Sequence, residues 1–170
     1  MLKQASWGKD ILIETKDIED GRAFCTKIRN ATKFITSFMS KEYKSNEQLN
    51  NWMAAKIGAA AEKISSSIAS CAFHEACNEL YDLFWNNFCA WYIEGCKIAP
   101  SPRAIEFLAA ILKIAHPIVP WISEECFQEI DQISFAKIDD SMSIGSILDY
   151  KMPEFSAAAT NFEQVISITK

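Results

Sequence analysis

The sequence predicts an all-α fold, an antiparallel bundle of four to five helices, on three observations. Apolar residues recur at steps of three and four along most of residues 17–130, the spacing that lines one face of a helix. Five glycines and five prolines in 170 residues are too few turn formers for a barrel or sandwich of many short strands. Hydrophobic residues make up 49% of the chain, and a chain of this length buries roughly 70% of its unfolded surface without needing a disulfide or a metal.

Taken in order, residues 1–16 read as a short extended arm. Asp10-Ile-Leu-Ile-Glu-Thr15 is short and β-branched, and Trp7-Gly8 before it is a turn signal. A lone strand leaves its backbone groups unpaired, so this arm hints that a larger protein has been cut here. From Asp17 to about Ser40, Phe24, Ile28, Ala31, Ile35 and Phe38 fall within about 80° of arc. Arg22, Arg29 and Lys33 fall within about 40° on the opposite side, so one face is core and the other is basic.

A second helix, about Glu47 to Ser70, turns Leu49, Trp52, Met53, Ile57, Ala60, Ile64 and Ile68 inward, with Lys56 on the flank. The third, about Ala72 to Lys97, is the most apolar. Its stripe of Phe73, Cys77, Leu80, Phe84, Phe88 and Trp91, widened by Tyr81, Trp85 and Tyr92, belongs at the centre of the bundle. Ser101-Pro102 starts a fourth helix, and Pro117 breaks it at His116. Pro120 opens a short fifth, Trp121 to Ile130, with Glu124 and Glu125 near the positive end of its dipole. The bundle therefore spans 17–130, a connector covers 131–156, and a C-terminal helical region begins over 157–170 without a closing cap.

No apolar run approaches the roughly 20 residues that span a bilayer, and no signal peptide opens the chain, which points to the cytoplasm and away from membranes. The six cysteines lie mostly in apolar segments and form no C-x-x-C pair, so reduced, buried thiols are expected. Cys71, His74 and Cys77 would spread over about 120° of one helix and could not close on a metal ion. His116, beside a proline at a helix break, reads as a capping or core residue. Glu124 and Glu125 point in different directions, and no phosphate-cradling glycine loop or nucleophile elbow occurs. No catalytic residue and no metal site is expected.

What remains is charge. Residues 21–63 hold eight basic side chains against three acids, while the other nine basics face nineteen acids, within a net charge of -5. One basic sector on an acidic protein suits a phosphate backbone. Phe34, Phe38, Tyr43 and Trp52 lie in or beside it and could pack or stack on bases. A solvated bundle face, or a helical interaction module meeting an acidic protein partner, would show the same charge pattern.

Particular motifs resemble the anticodon-binding domain of the valyl-tRNA synthetases. They are Gly8-Lys-Asp-Ile11, Gly21-Arg-Ala-Phe-Cys-Thr-Lys-Ile28, Asn30-Ala-Thr-Lys-Phe34, Asn51-Trp-Met53, Leu80-Tyr-Asp-Leu-Phe-Trp-Asn-Asn-Phe-Cys-Ala-Trp-Tyr-Ile-Glu94 and His116-Pro-Ile-Val-Pro-Trp-Ile-Ser-Glu-Glu125. The run through Phe88-Cys-Ala-Trp-Tyr-Ile-Glu94 is closest to the valyl enzymes, whereas His-Pro-x-x-Pro and its two glutamates are shared with isoleucyl and leucyl relatives. Met39-Ser40-Lys41-Glu42 resembles part of the class I K-M-S-K-S loop but lacks its first lysine and last serine.

The resemblance implies a non-catalytic bundle that grips the anticodon stem and loop of tRNA(Val). A distant domain of a monomeric enzyme would join valine to the tRNA using ATP and magnesium, with no cofactor in this segment. Residues 1–16 would then be the tail of the catalytic domain, and the remainder of the synthetase a partner. The RNA-binding residues implied are Arg22, Arg29, Asn30, Lys33, Phe34, Trp52 and Lys56. Lys33 and Lys56 stand where the family has arginine, keeping the point charge but not the planar fork. Arg29 stands where the family has an aromatic residue.

Overall fold

The computed structural model describes residues 14–37 and 46–133, and these are helical apart from short turns. The helices are α1 (Thr15–Ser37), α2 (Glu47–Ala69), α3 (Phe73–Tyr81), a π-helical segment π1 (Asp82–Tyr92), α4 (Ile93–Ile98), α5 (Arg103–Ala115) and α6 (Pro120–Ile133). α3, π1 and α4 follow one another without a break and act as one rod, so five rods make the expected bundle. The extended arm before residue 14, Phe38, Met39–Glu42, Tyr43 and everything expected beyond residue 133 lie outside the described residues.

Helix ends follow local chemistry. The arm does not reach residue 16 as expected: α1 starts at Thr15, where the Asp17 side chain and a backbone turn bond close its first turn. The Glu14 N–H donates to the Asp17 carboxylate at 3.0 Å, and the Asp17 N–H donates to the Glu14 carbonyl at 3.0 Å. Asn46 caps α2 by accepting from the Leu49 N–H at 3.2 Å. At the far end the Cys71 N–H reaches the Ile68 carbonyl and the Ala72 N–H reaches the Ser67 carbonyl, a Schellman closure. Cys71 takes the left-handed position at φ 59°, where a non-glycine residue costs about 1–2 kcal/mol. α6 continues to Ile133, past the expected end of the bundle at 130.

Pairing across the elements sets their directions. Ser67 meets Glu75, Lys63 meets Glu79 and Tyr92 meets Asn50, so α2 and the rod run antiparallel. Phe24 packs on Tyr81 and Phe84, Lys27 on Trp85, and Phe34 under Lys97, so α1 and the rod run parallel. His116 meets Ser123 and Lys113 lies over Phe127, which makes α5 and α6 an antiparallel hairpin. Leu49 approaches α4 so closely that any side chain at Gly95 would overlap it.

The core holds Ile28 and Ile35 of α1, Trp52, Met53 and Ile57 of α2, Phe84, Phe88 and Tyr92 of π1, and Leu108 and Ile111 of α5. Burying each such side chain stabilises the fold by roughly 1.5–3 kcal/mol. One buried polar knot ties three elements together. The Tyr92 hydroxyl donates to Asn50 Oδ1 at 2.9 Å, and Ser101 Oγ donates to the same oxygen at 3.1 Å while accepting from the Arg103 N–H at 3.3 Å. Ser101 thus caps α5, as its place before Pro102 suggests.

The third helix departs from its expected face. Phe73 is exposed and Cys77 and Trp91 are only half-buried, whereas Leu83, Cys89, Tyr92, Ile93 and Cys96 are buried. The cause is the wider π turn, in which the Ile93 N–H bonds the Phe88 carbonyl five residues back. This carries the inward position from Trp91 to Tyr92. Phe84, Phe88 and Tyr92 then stack in succession, with centroids 5.9 and 5.6 Å apart. The thiols also differ in part from expectation: Cys89, Cys96 and Cys126 are buried, Cys25 and Cys77 are intermediate and Cys71 is exposed.

Candidate nucleic-acid interface

The sequence sets two kinds of residue on α1, and the bundle decides which can meet a partner. Ile28, Ala31, Thr32 and Ile35 face inward, leaving Arg22, Asn30 and Lys33 exposed on the outer face. Arg22 and Lys33 are eleven residues apart, or about 16 Å of helix rise, so the cationic ridge runs along half of α1.

Arg29 lies on the same stripe but is committed elsewhere. Its Nη2 donates to Glu125 Oε2 at 2.8 Å and its Nε donates to Oε1 at 3.3 Å, a two-pronged pair that joins α1 to α6. The bond from Arg29 holds the Glu125 carboxyl below the usual carboxylate range, and the charge of Lys33 adds to the effect. Arg29, expected as an RNA contact, is therefore also a clamp between helices. The second glutamate of the His-Pro-x-x-Pro segment is what holds it.

Trp52 is a correction to the expected contacts. It is 1% exposed, on the inward face of α2 among the core residues, and cannot stack on a base without unpacking the bundle. Phe34 is half-buried against the core, with the Lys97 ammonium 5.7 Å from its ring centroid. It joins α1 to α4 as well as bordering Lys33. Lys56 is half-buried on α2. Of the other expected basic residues, Lys63 is paired with Glu79 at 2.7 Å.

Sequence reasoning missed a groove. Between α1 and π1 lies an open depression of about 350 Å³ lined by Glu19, Arg22, Ala23, Thr26, Lys27, Asn30 and Trp85. Trp85, its one aromatic lining residue, ends a ladder in which Phe24 stacks on Tyr81 at 5.7 Å and Tyr81 on Trp85 at 5.3 Å and 11°. Lys27 Nζ stands 5.2 Å from the Trp85 ring centroid, within cation–π range. The sequence offered one signal for this site: Trp85 and Tyr81 sit at the edge of the third helix's apolar stripe, where a wide stripe leaves its core.

The histidines stay out of the interface. His116 Nδ1 lies 3.1 Å from the buried Ser123 Oγ at the α5–α6 turn, the satisfied role expected of it. His74 Nε2 is 3.9 Å from Glu75 Oε1. Among the described residues no three metal-ligating side chains converge, and no helix is long and apolar enough to cross a membrane.

Comparison with known proteins bears on the same elements. The family model for the anticodon-binding domain of tRNA ligase matches residues 50–170. The valine–tRNA ligase of Solibacter usitatus is 29% identical over 99% of this chain and 20% of its own length. That of Borreliella burgdorferi is 29% identical over 96% of this chain and 19% of its own, and that of Francisella tularensis 29% identical over 88% and 17%. The chain spans about a fifth of the length of these curated relatives. The near-complete coverage brings α1 and its basic ridge, which precede the family match, into the same similarity. With five helical rods in the expected order and a family match over most of its length, the chain belongs to the anticodon-binding domains of the tRNA ligases.

Proposed function

We propose that this chain recognises the anticodon stem and loop of tRNA(Val) as a segment of a valine–tRNA ligase. The whole enzyme would attach valine to that tRNA using ATP and magnesium, both bound outside this segment. The bundle performs no bond chemistry. Its contribution is positioning: contacts at the anticodon select the tRNA and orient its far end, so part of the entropic cost of reaction is met by binding. The working enzyme is a monomer in the cytoplasm, and the remainder of the synthetase is this segment's covalent partner.

The observation that carries the reading is the exposed ridge of Arg22 and Lys33, with Asn30 beside it, on a helix whose other face is buried. Lys33 supplies a point charge suited to phosphate rather than a planar fork suited to a base edge. Salt-titrated binding to transcribed tRNA(Val) and to an anticodon-swapped version tests it. Preference for the native anticodon is the expected result. Equal weak binding to both, vanishing together as salt rises, would overturn anticodon recognition and leave a generic basic face such as an acidic protein would meet. Lys33→Glu is expected to weaken tRNA binding on the order of tenfold while the Tm stays within a few degrees, since the position is exposed.

A further inference from the structure

Building on the tRNA reading above, we infer that the groove between α1 and π1 holds a stretch of ribose-phosphate backbone from the bound RNA and reads no base. Its lining carries two cations, Arg22 and Lys27, and the amide of Asn30, against one acid, Glu19. That excess of donors and positive charge matches phosphate oxygens. The indole of Trp85 is already engaged, stacked by Tyr81 and capped by the Lys27 ammonium, so a base would have to displace the lysine to stack on it. Arg22 and Lys27 are five residues apart on α1, about 7.5 Å of helix rise, which suits successive charges of a polyanion better than one small ion.

Trp85 is on this account a positioning residue. Its ring restrains an ammonium that would otherwise sweep a large volume on a flexible four-carbon stem, so less entropy is lost when Lys27 meets a phosphate. The site lies beside the ridge that ends at Lys33. It extends the binding surface along α1 without adding sequence information, as phosphate contacts do in general.

The test uses the 170-residue chain and its Arg22→Gln, Lys27→Gln double variant. Each is titrated with fluorescent tRNA(Val) and with the anticodon-swapped tRNA between about 50 and 200 mM salt. The double variant is expected to bind both RNAs on the order of tenfold more weakly, by the same factor for each. The slope of log affinity against log salt should fall by about 0.7–0.9 for each phosphate that the variant leaves unneutralised. A large excess of inorganic phosphate should leave wild-type binding nearly unchanged at constant ionic strength; full competition would show that a small anion, not a strand, fills the groove. A double variant that keeps wild-type affinity and slope overturns the inference, and so does a weakening that alters the ratio between the two RNAs, which would mean base reading. If the double variant fails to fold, Arg22→Gln alone, at an exposed position, carries the same test. A wild-type chain that binds neither RNA overturns the tRNA reading itself, whereas binding by wild type with an unaffected variant overturns the groove alone.

Discussion

Arg29 and Glu125 are 96 positions apart in sequence and meet through two hydrogen bonds. Their side chains remain 41% and 58% exposed, so solvent screens the pair and its share of the stability is small. Its effect on pH dependence is easier to see. The carboxyl of Glu125 titrates below its ordinary value of 4.5 in the folded chain, because Arg29 bonds its charged form. Its contribution is therefore complete above that value and is lost as pH falls through the lower, folded one. Glu125→Gln is expected to lower the Tm slightly at neutral pH and to flatten its decline on acidification. Parallel acid titrations for wild type and variant would contradict the clamp. A basic residue at 29 was legible in the sequence, but its partner was not, since nothing local connects position 29 to position 125.

At the scale of the element, the third rod is where periodicity misleads. Steps of three and four place Phe88 and Trp91 on the inward stripe; Phe88 is there at 0% exposed, but the wider turn of π1 gives the place of Trp91 to Tyr92, also 0% exposed. Phe88→Ala is accordingly expected to cost about 3–5 kcal/mol in urea melts, the range for an aromatic side chain removed from a core. Trp91→Ala, at a half-buried site, should cost clearly less. The reverse order would contradict the full burial of Phe88 and the half-buried place of Trp91. The inward faces of α1 and α2 were readable because regular α geometry runs unbroken along them: Ile28, Ala31 and Ile35, and Leu49, Trp52, Met53, Ile57, Ala60 and Ile64, are buried as their spacing requires. Asn50 was not readable, because a polar residue is buried only when groups such as the Tyr92 hydroxyl and Ser101 come to meet it.

At the scale of the whole molecule, thiol chemistry reports whether the core opens as one unit. Burial pushes the Cys89 thiol up to about 12 and raises those of Cys96 and Cys126, so all three stay protonated near neutral pH. Cys71 stands exposed at the α2–α3 turn. Under native conditions iodoacetamide followed by peptide mapping is expected to label Cys71 first, with Cys89, Cys96 and Cys126 reacting only as denaturant unfolds the bundle. Early labelling of Cys89 would show that the rod opens locally.

Local spacing was enough for the helical class, the order of the rods, the inward faces of α1 and α2, the cap at Ser101, and the basic character of the outer face of α1. Each depends on residues a few positions apart, and helical geometry converts such spacing directly into a face. Contacts between distant elements settled the rest: Arg29 is held by Glu125, Tyr92 rather than Trp91 is fully buried, and Lys27 and Trp85 share a groove. Those outcomes rest on which side chains arrive from distant helices, and on a π turn whose wider winding shifts the inward position by one residue.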